Sequence, residues 1–444
     1  MVTASHLPAD RNGFKFFTMD GGFTKAQIQR LVTLAGEHAK VWFDLGILPP
    51  TSGRGGVFCS EWVNWMPHYE LNLKRVILGQ VLGGGSMNDH EHHSMKQTLS
   101  GLKIVLNPGN GSGGFFRKVL AELGADVSGC IHCTPDETFP NGIPNPEYKP
   151  MIDETVKACE TVHADIGIML DTDADRCGFV VPRTVRQDGT CGDYEPLNRN
   201  RLIALLGVLF STDSPGCAIV TDSVTSNGLA KFLTKDLGLV HVRFLKGYAN
   251  VINKAKSLNK QNIVNAEVAI ETSGHCAMKE TGFSDDGVYT AVKVIGMLAK
   301  ARKQGETPSL LNLIDDLEEL DEVAELRMTV MEGSSEATQE MFDFAALEIE
   351  EICSQNLREG ENNPTSSWIV DRDNLEGIRI STGNNGGFFM LRKSLHDPLL
   401  SLQVEASSKD EAKEVVVRPL LELFESQPEL KSNLDLSALQ QYAS

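Results

Sequence analysis

Along most of the chain a short β-branched or apolar run is followed by a Gly-rich or polar turn and then by a stretch of helical period, which is the α/β pattern. In "LKIVLNPGNGSGGFFRKVLAELGADV", Leu102 to Leu106 predicts a buried strand and Phe115 to Leu123 a helix, with turn residues between them. The run from Cys217, "CAIVTDSVTSNGLAKFLTKDLG", predicts strand, loop and helix again, and "IVNAEVAI" predicts a further strand leading into "ETSGHCAMKE" at Glu271. Asp193 to Leu206 predicts a new helix after a hydrophilic turn, and a domain boundary falls there. Leu310 to Glu325 predicts a strongly acidic helix, with a second boundary near Leu320. Beyond it the order becomes α+β: the helix "ATQEMFDFAALEIEEICSQ", two strands joined by a Gly/Asn turn, a polar loop, another strand, and a closing helix "KDEAKEVVVRPLLELFES". No repeat shorter than a domain is visible.

Composition narrows what these elements serve. At 444 residues and 41% hydrophobic, the chain buries several cores, and at about 100 to 200 residues per domain it holds roughly three or four. A net charge of -19, from 41 Lys and Arg against 60 Asp and Glu, repels a phosphate backbone and excludes nucleic acid as a partner. It does not exclude small phosphorylated ligands, because a few local cations and backbone amides bind these inside an acidic protein. No apolar run reaches the roughly 20 residues that span a bilayer, so no membrane partner is expected. Nine scattered cysteines are unlike a secreted disulfide framework and fit a reducing compartment. Cys130 and Cys133 form a lone C-x-x-C, which a zinc site would need to see doubled, and it is read as structural or incidental. His90, His92 and His93, in "NDHEHHSM" after "GGGS", read as a solvated linker.

Chemistry concentrates in "DIGIMLDTDADRCGFVV". An apolar strand ends in Asp171, Asp173 and Asp175 with Arg176 directly behind them. Three carboxylates that close repel one another unless a cation holds them. Oxygen-only ligands favour Mg²⁺ or Ca²⁺ over Zn²⁺. An EF-hand fails, because Arg176 and Pro182 stand where its Gly and Glu belong. A phosphatase of haloacid-dehalogenase type also puts D-x-D after an apolar strand, with Asp171 as nucleophile and Asp173 as acid/base. A solvated Asp-rich turn with Arg176 as surface counter-ion is the bland alternative, and three aspartates plus an arginine at a buried strand end weigh against it.

Other loops offer phosphate or sugar chemistry. "TASHLPADRNGFK" puts Ser5 and His6 ahead of a strand, with Lys15 at its start. "ETSGH" follows a strand with the acceptor Glu271, hydroxyls at Thr272 and Ser273, a close-approach Gly274 and the imidazole of His275. "RKSLHDP" places Arg392, Ser394 and His396 on a loop suited to an oxyanion.

In order, these loops resemble those of the α-D-phosphohexomutase superfamily, the phosphoglucomutase and phosphomannomutase enzymes. The family's serine loop, T-A-S-H-N-P with N-G-x-K after it, stands here as "TASHLP" and "NGFK". Its metal loop D-x-D-x-D-R matches Asp171 to Arg176, its sugar loop G-E-x-S-G-H matches Glu271 to His275, and its phosphate loop R-x-S-x-T-E-P matches Arg392, Ser394 and Pro398. "FPNGIPNPE" also resembles the region ahead of the metal loop, so the likeness covers essentially the whole chain. It implies an α/β fold of three related α/β domains, the first of them truncated, plus a C-terminal α+β domain: 1–75 with the phosphoserine loop, 76–192 with the metal loop, 193–318 with the sugar loop and 319–444 with the phosphate loop.

The activity implied is a reversible shift of phosphate between O1 and O6 of a hexose phosphate, in carbohydrate metabolism, with a hexose 1,6-bisphosphate as intermediate and activator. Ser5 carries the phosphoryl group, with His6 beside it. Asp171, Asp173 and Asp175 hold Mg²⁺ against an oxygen of the phosphorylated Ser5. Arg176 steadies the same phosphoryl. Lys15 and His275 serve as acid/base groups or stabilise the sugar hydroxyl. Glu271 and Ser273 grip sugar hydroxyls, while Arg392, Ser394 and His396 bind the phosphate that is not reacting.

Leu7 departs from the family's Asn and Ile270 from its Gly, and Leu395, His396 and Asp397 replace Gly-Thr-Glu, exchanging one hydroxyl donor for an imidazole. The family has roughly a hundred residues ahead of the active serine, about half a domain. The expectation is therefore a fragment or derivative with weak or no mutase activity by itself. A non-catalytic sugar-phosphate binder is the competing class, and intact Ser5, Lys15, His275 and aspartates argue against it. The cytoplasm is the expected compartment, or an organelle such as a plastid if a targeting segment precedes Met1.

Overall fold

The computed structural model describes residues 3, 5, 11–18, 21–46, 63–82, 97–185, 190–305, 309–359, 364–383, 386–394 and 397–444. His6, His90, His92, His93 and His396 lie outside these. The strands are β1 (Phe17–Thr18), β2 (Gly21–Gly22), β3 (Ile104–Asn107), β4 (Ile166–Leu170), β5 (Cys177–Val185), β6 (Cys191–Leu197), β7 (Ala218–Asp222), β8 (Val240–Phe244), β9 (Ala266–Ile270) and β10 (Cys276–Met278). They continue with β11 (Glu322–Thr329), β12 (Trp368–Val370), β13 (Ile378–Thr382), β14 (Phe388–Lys393) and β15 (Leu399–Ala406). The chain packs as two compact units, residues 1–197 with 274–311 and residues 198–273 with 312–444.

In the first unit β3 and β4 are parallel and buried along their whole length, as strands covered on both faces must be. The connection between them carries the helices Phe116–Glu122 and Lys149–Val162. β5 turns back antiparallel on β4, closing with the pair Leu170↔Cys177, so residues 171–176 form a hairpin loop at the end of a buried strand. Helix Gly287–Lys303 packs on helix Met66–Leu82 and begins against that loop. At Gly287 an added Cβ would lie 2.5 Å from the Arg176 carbonyl carbon, so only glycine permits this approach.

In the second unit β7 lies between β8 and β9, parallel to both, with helices Asn227–Lys231 and Tyr248–Lys260 in the crossovers. Their carboxyl ends carry Asp222, the Lys246–Gly247 turn and Glu271, the edge where open α/β sheets bind ligands. A second sheet, ordered β11-β15-β14-β13-β12, is antiparallel throughout. One of its faces packs Phe389, Leu402 and Val404 on helix Ser335–Glu359 and on Val416 and Phe424. The other face presents Phe388, Met390, Arg392, Ser401 and Gln403, because side chains alternate along a strand.

Three expectations are corrected. Residues 193–197, expected at the start of a helix running from Asp193 to Leu206, belong instead to the edge strand β6 on β5, and the helix spans Asn200–Asp213. Pro196 cannot serve a helix interior but is tolerated in an edge strand. The acidic run expected as a helix from Leu310 to Glu325 is a short turn of 3₁₀ helix, Leu310–Ile314, followed by irregular chain and then β11. Asp315, Asp316, Glu318, Glu319 and Asp321 offer like charges and no apolar stripe, whereas β11 alternates and finds β15 to pair with. The chain closes not with the helix ending at Ser426 but with two more short ones, Pro428–Asn433 and Ser437–Ala443, which bury Leu430 and Leu439.

Candidate active site

Burial of β4 carries Asp171 to complete exclusion from solvent. Its Oδ2 accepts from Arg176 Nε at 2.9 Å and its Oδ1 from the Arg176 backbone N–H at 3.1 Å. With both oxygens engaged by one arginine, Asp171 is poorly placed to act as the nucleophile of a haloacid-dehalogenase-type reaction. The loop is pinned by Ser112 N–H donating to the Thr172 carbonyl and by Gly287 N–H donating to that of Ala174. Ala174 sits at φ 62°, a left-handed conformation costing about 1 kcal/mol or more in a residue other than glycine. Ser5, also left-handed at φ 55°, donates its hydroxyl to Asp171 Oδ2 at 3.4 Å.

The remaining carboxylates are met by Lys15, whose Nζ lies 2.9 Å from Asp173 Oδ2 and 2.6 Å from Asp175 Oδ2. Asp175 and Asp173 hold the Lys15 pKa above its ordinary value, although burial alone would lower it. Asp175 stays below the usual carboxylate range; burial opposes this, but the charges of His275 and Lys15 outweigh it. Burial, then the charge of Asp175, pushes the Asp171 carboxyl up to about 7, against the pull of Arg176. The other oxygens of Asp173 and Asp175, both Oδ1, are buried and have no hydrogen-bond partner among the described residues. Ligand oxygens of the three aspartates lie within 4.8 Å of one another. A buried set of oxygen donors with two acceptors left over fits a hard divalent cation.

His275 enters the same unit through Gly274 at φ +94°, where a Cβ would lie 2.6 Å from the Cys177 carbonyl oxygen. Its Nδ1 is 2.7 Å from Asp285 Oδ2 and 3.6 Å from Asp175 Oδ1, and its backbone bridges to Arg176.

In the second unit Glu271 is buried at the end of β9 and accepts the Gly247 N–H at 2.6 Å through Oε1, while its Oε2 lies 3.4 Å from Ser273 Oγ. Arg392, at the end of β14, is only 8% exposed. Among the described residues its Nε has no hydrogen-bond partner, and its Nη1 donates to the Lys393 carbonyl at 3.4 Å. Ser394 turns its hydroxyl to accept the Asp397 N–H at 3.2 Å.

Comparison with known proteins shows what the chain resembles in sequence and fold. Residues 87–184 match the family model of phosphoglucomutase/phosphomannomutase alpha/beta/alpha domain II, and residues 198–317 match that of domain III. A phosphoglucomutase of Neisseria gonorrhoeae is 26% identical over 436 residues, covering 97% of this chain and 78% of the relative. The phosphomannomutase/phosphoglucomutase of Pseudomonas aeruginosa is 26% identical over 417 residues, covering 94% and 74%. The chain belongs to the α-D-phosphohexomutase superfamily. Solved structures share the fold of this phosphohexomutase. A phosphoglucomutase/phosphomannomutase family protein of Burkholderia thailandensis superposes with a TM-score of 0.66 at 22% identity, covering 98% of this chain and 77% of the other. An Aspergillus fumigatus N-acetylphosphoglucosamine mutase, in complex with GlcNAc-6P and magnesium, gives 0.55 at 15% identity, covering 95% and 87%.

Supporting residues that the motifs did not single out hold the phosphohexomutase loops in place. Asp285 orients His275 and accepts the Cys276 N–H at 3.0 Å. Burial pushes its carboxyl up to about 6 against the His275 charge. Asp286 caps helix Gly287–Lys303 and accepts the Tyr69 hydroxyl at 2.8 Å. Asp-Asp-Gly ahead of an apolar helical run is an N-cap signal, and it was the one available pointer to this pair. Asp222 accepts both the N–H and the hydroxyl of Thr272, fixing the turn after Glu271. Glu376 takes the Lys246 N–H at 2.8 Å, and Arg379, stacked 3.4 Å over the Phe388 ring, ties down the carbonyls of Ser223 and Thr225. No local signal marks Glu376 or Arg379.

Proposed function

We propose that this chain interconverts hexose 1-phosphate and hexose 6-phosphate, an isomerase reaction that runs through a phosphorylated Ser5 and a hexose 1,6-bisphosphate. The observation that carries this reading is the Ser5 hydroxyl 3.4 Å from Asp171, beside carboxylates with two buried oxygens that have no hydrogen-bond partner among the described residues. Asp171, Asp173 and Asp175 would hold Mg²⁺, which when bound would offset negative charge on the transferring phosphoryl group. Arg176 fixes Asp171 by two hydrogen bonds and so presents it to the Ser5 side. Lys15 neutralises Asp173 and Asp175 in the absence of the metal and is the nearby cation for a phosphoryl oxygen once it leaves them. His275, oriented by Asp285, is the candidate to take or return the proton of the sugar hydroxyl. Glu271 and Ser273 would accept from and donate to sugar hydroxyls, and Arg392, Ser394 and His396 would bind the idle phosphate. The domain limits 1–75, 76–192, 193–318 and 319–444 belong to the same proposal. So do hexose bisphosphate as activator and the cytoplasm as compartment, the latter in keeping with free thiols at the described cysteines. No helix among the described residues is long and apolar enough to cross a membrane.

Peptide mapping by mass spectrometry after incubation with glucose 1,6-bisphosphate and Mg²⁺ tests the reading. A phosphate on Ser5 that disappears on adding glucose 6-phosphate is the expected result. An unmodified Ser5 in a chain that sugar phosphates still protect from thermal unfolding would make the protein a binder, and label on Asp171 would make it a phosphatase.

A further inference from the structure

Strands β11 and β14 flank β15, and Arg327 and Arg392 both pair with Ser401, so a row Arg327, Ser401, Arg392 crosses the face of the sheet away from the helices. Glu325, two positions before Arg327, lies on that same face. Its Oε1 accepts the Ser401 hydroxyl at 2.8 Å, lies 3.4 Å from Arg327 Nε and lies 3.7 Å from Arg392 Nη2. The last distance is an ion pair without a hydrogen bond. A nearly buried guanidinium with an unpartnered Nε and five donors to satisfy is therefore balanced by charge but not by hydrogen bonds. The Glu325 side chain is 42% exposed, so water can receive it if it leaves.

We propose that Glu325 is an internal anion that occupies Arg392 in the resting protein and competes with the phosphate of an incoming hexose phosphate, setting how tightly that phosphate is held. The proposal rests on the reading of Arg392 as a phosphate ligand. Phosphate carries more charge than a carboxylate and three acceptor oxygens, which match the unfilled donors of Arg392 better than Glu325 does. The two anions repel each other at this distance, so the carboxylate turns to solvent when phosphate binds. Glu325 is an effective competitor because it stays ionised: burial would raise its pKa, but the Ser401 hydroxyl and the charges of Arg327, Lys246 and Arg392 hold it below the usual range.

The test is calorimetric binding of inorganic phosphate and of glucose 6-phosphate to the full chain, alongside KM and kcat. Glu325→Gln keeps an acceptor for Ser401 and removes the charge, and it is expected to tighten both ligands by roughly threefold to tenfold and to lower KM without raising kcat. In the Arg392→Ala background the same change is expected to have no effect, because the competition it relieves is gone. Unchanged or weaker binding in Glu325→Gln, with Arg392→Ala still impairing binding, overturns the proposal while leaving the phosphate-loop reading intact. If Arg392→Ala binds both ligands as well as the parent, the phosphate-loop reading itself fails.

Discussion

The carboxylates that follow β4 and the guanidinium that ends β14 are both buried at strand tips, yet they are balanced in different ways. Asp171, Asp173 and Asp175 receive Arg176 and Lys15 at hydrogen-bonding distance, and what remains unpaired is acceptor capacity, one oxygen each on Asp173 and Asp175. Among the described residues Arg392 receives Glu325 at 3.7 Å, and what remains unpaired there is a donor, its Nε. One site is thus short of a cation and the other short of an anion. Burying an unpaired polar atom costs about 1–3 kcal/mol, so each shortfall is held in place by the surrounding fold and would be relieved by a ligand of opposite character. For a reaction that moves a phosphoryl group with the aid of a divalent cation, these are the two complements required.

The sharpest way to break the comparison is to remove the group the acidic site serves. Ser5→Ala should lower kcat by at least about 10³-fold while leaving hexose-phosphate binding nearly intact, because the proposed nucleophile is lost and Arg392 is untouched; equal loss of both would unite the two sites in one role. Next, Lys15→Met should destabilise the metal-free chain by about 2 kcal/mol, since two partly buried carboxylates lose their counter-charge, and added Mg²⁺ should raise its melting temperature more than that of the parent. Thermal unfolding with and without Mg²⁺ reads this directly.

A smaller effect is expected from Asp222, a buried acid outside both sites. Burial, then the charge of Glu271, raises it from 3.8 to about 7, and its Oδ1 has no hydrogen-bond partner among the described residues. A carboxyl whose folded pKa lies above its unfolded value holds its proton more tightly when folded. Its contribution therefore declines as pH rises from about 4 through about 7. Asp222→Asn should flatten the stability profile across that window, as melting temperatures at pH 5 and pH 8 would reveal. The smallest change is Ala174→Gly, expected to raise stability by about 1 kcal/mol or less by relieving the left-handed conformation; lower activity at higher melting temperature would mean that the strain aims the aspartates.

Much of the acidic site was legible in contiguous residues. The apolar run into Asp171, the alternate spacing to Asp175 and the glycine of the E-T-S-G-H turn all have local physical meanings, and the structure brings Ser5, Lys15, Arg176 and His275 together around them. The second site was legible only as far as Arg392 and Ser394. The placement of Glu325 could not be seen, because it depends on β11 pairing with β15, and the acidic run before it disguised a strand as a helix. Asp193 misled for a related reason: an edge strand of mixed polarity has no clear period, and its partner β5 supplies the order.

The sequence by itself determined an acidic α/β chain and a carboxylate loop suited to a cation, because periodicity and short-range turn chemistry are properties of neighbouring residues, while the superfamily was legible through the resemblance of its loops to those of known enzymes. Only the tertiary structure decided that Lys15 closes on Asp173 across 158 positions, that Asp285 rather than a motif residue orients His275, and that Glu325 stands against Arg392. Those pairings arise where strands and loops distant in sequence pack together. Their strength depends on burial and distance, which are properties of the folded chain.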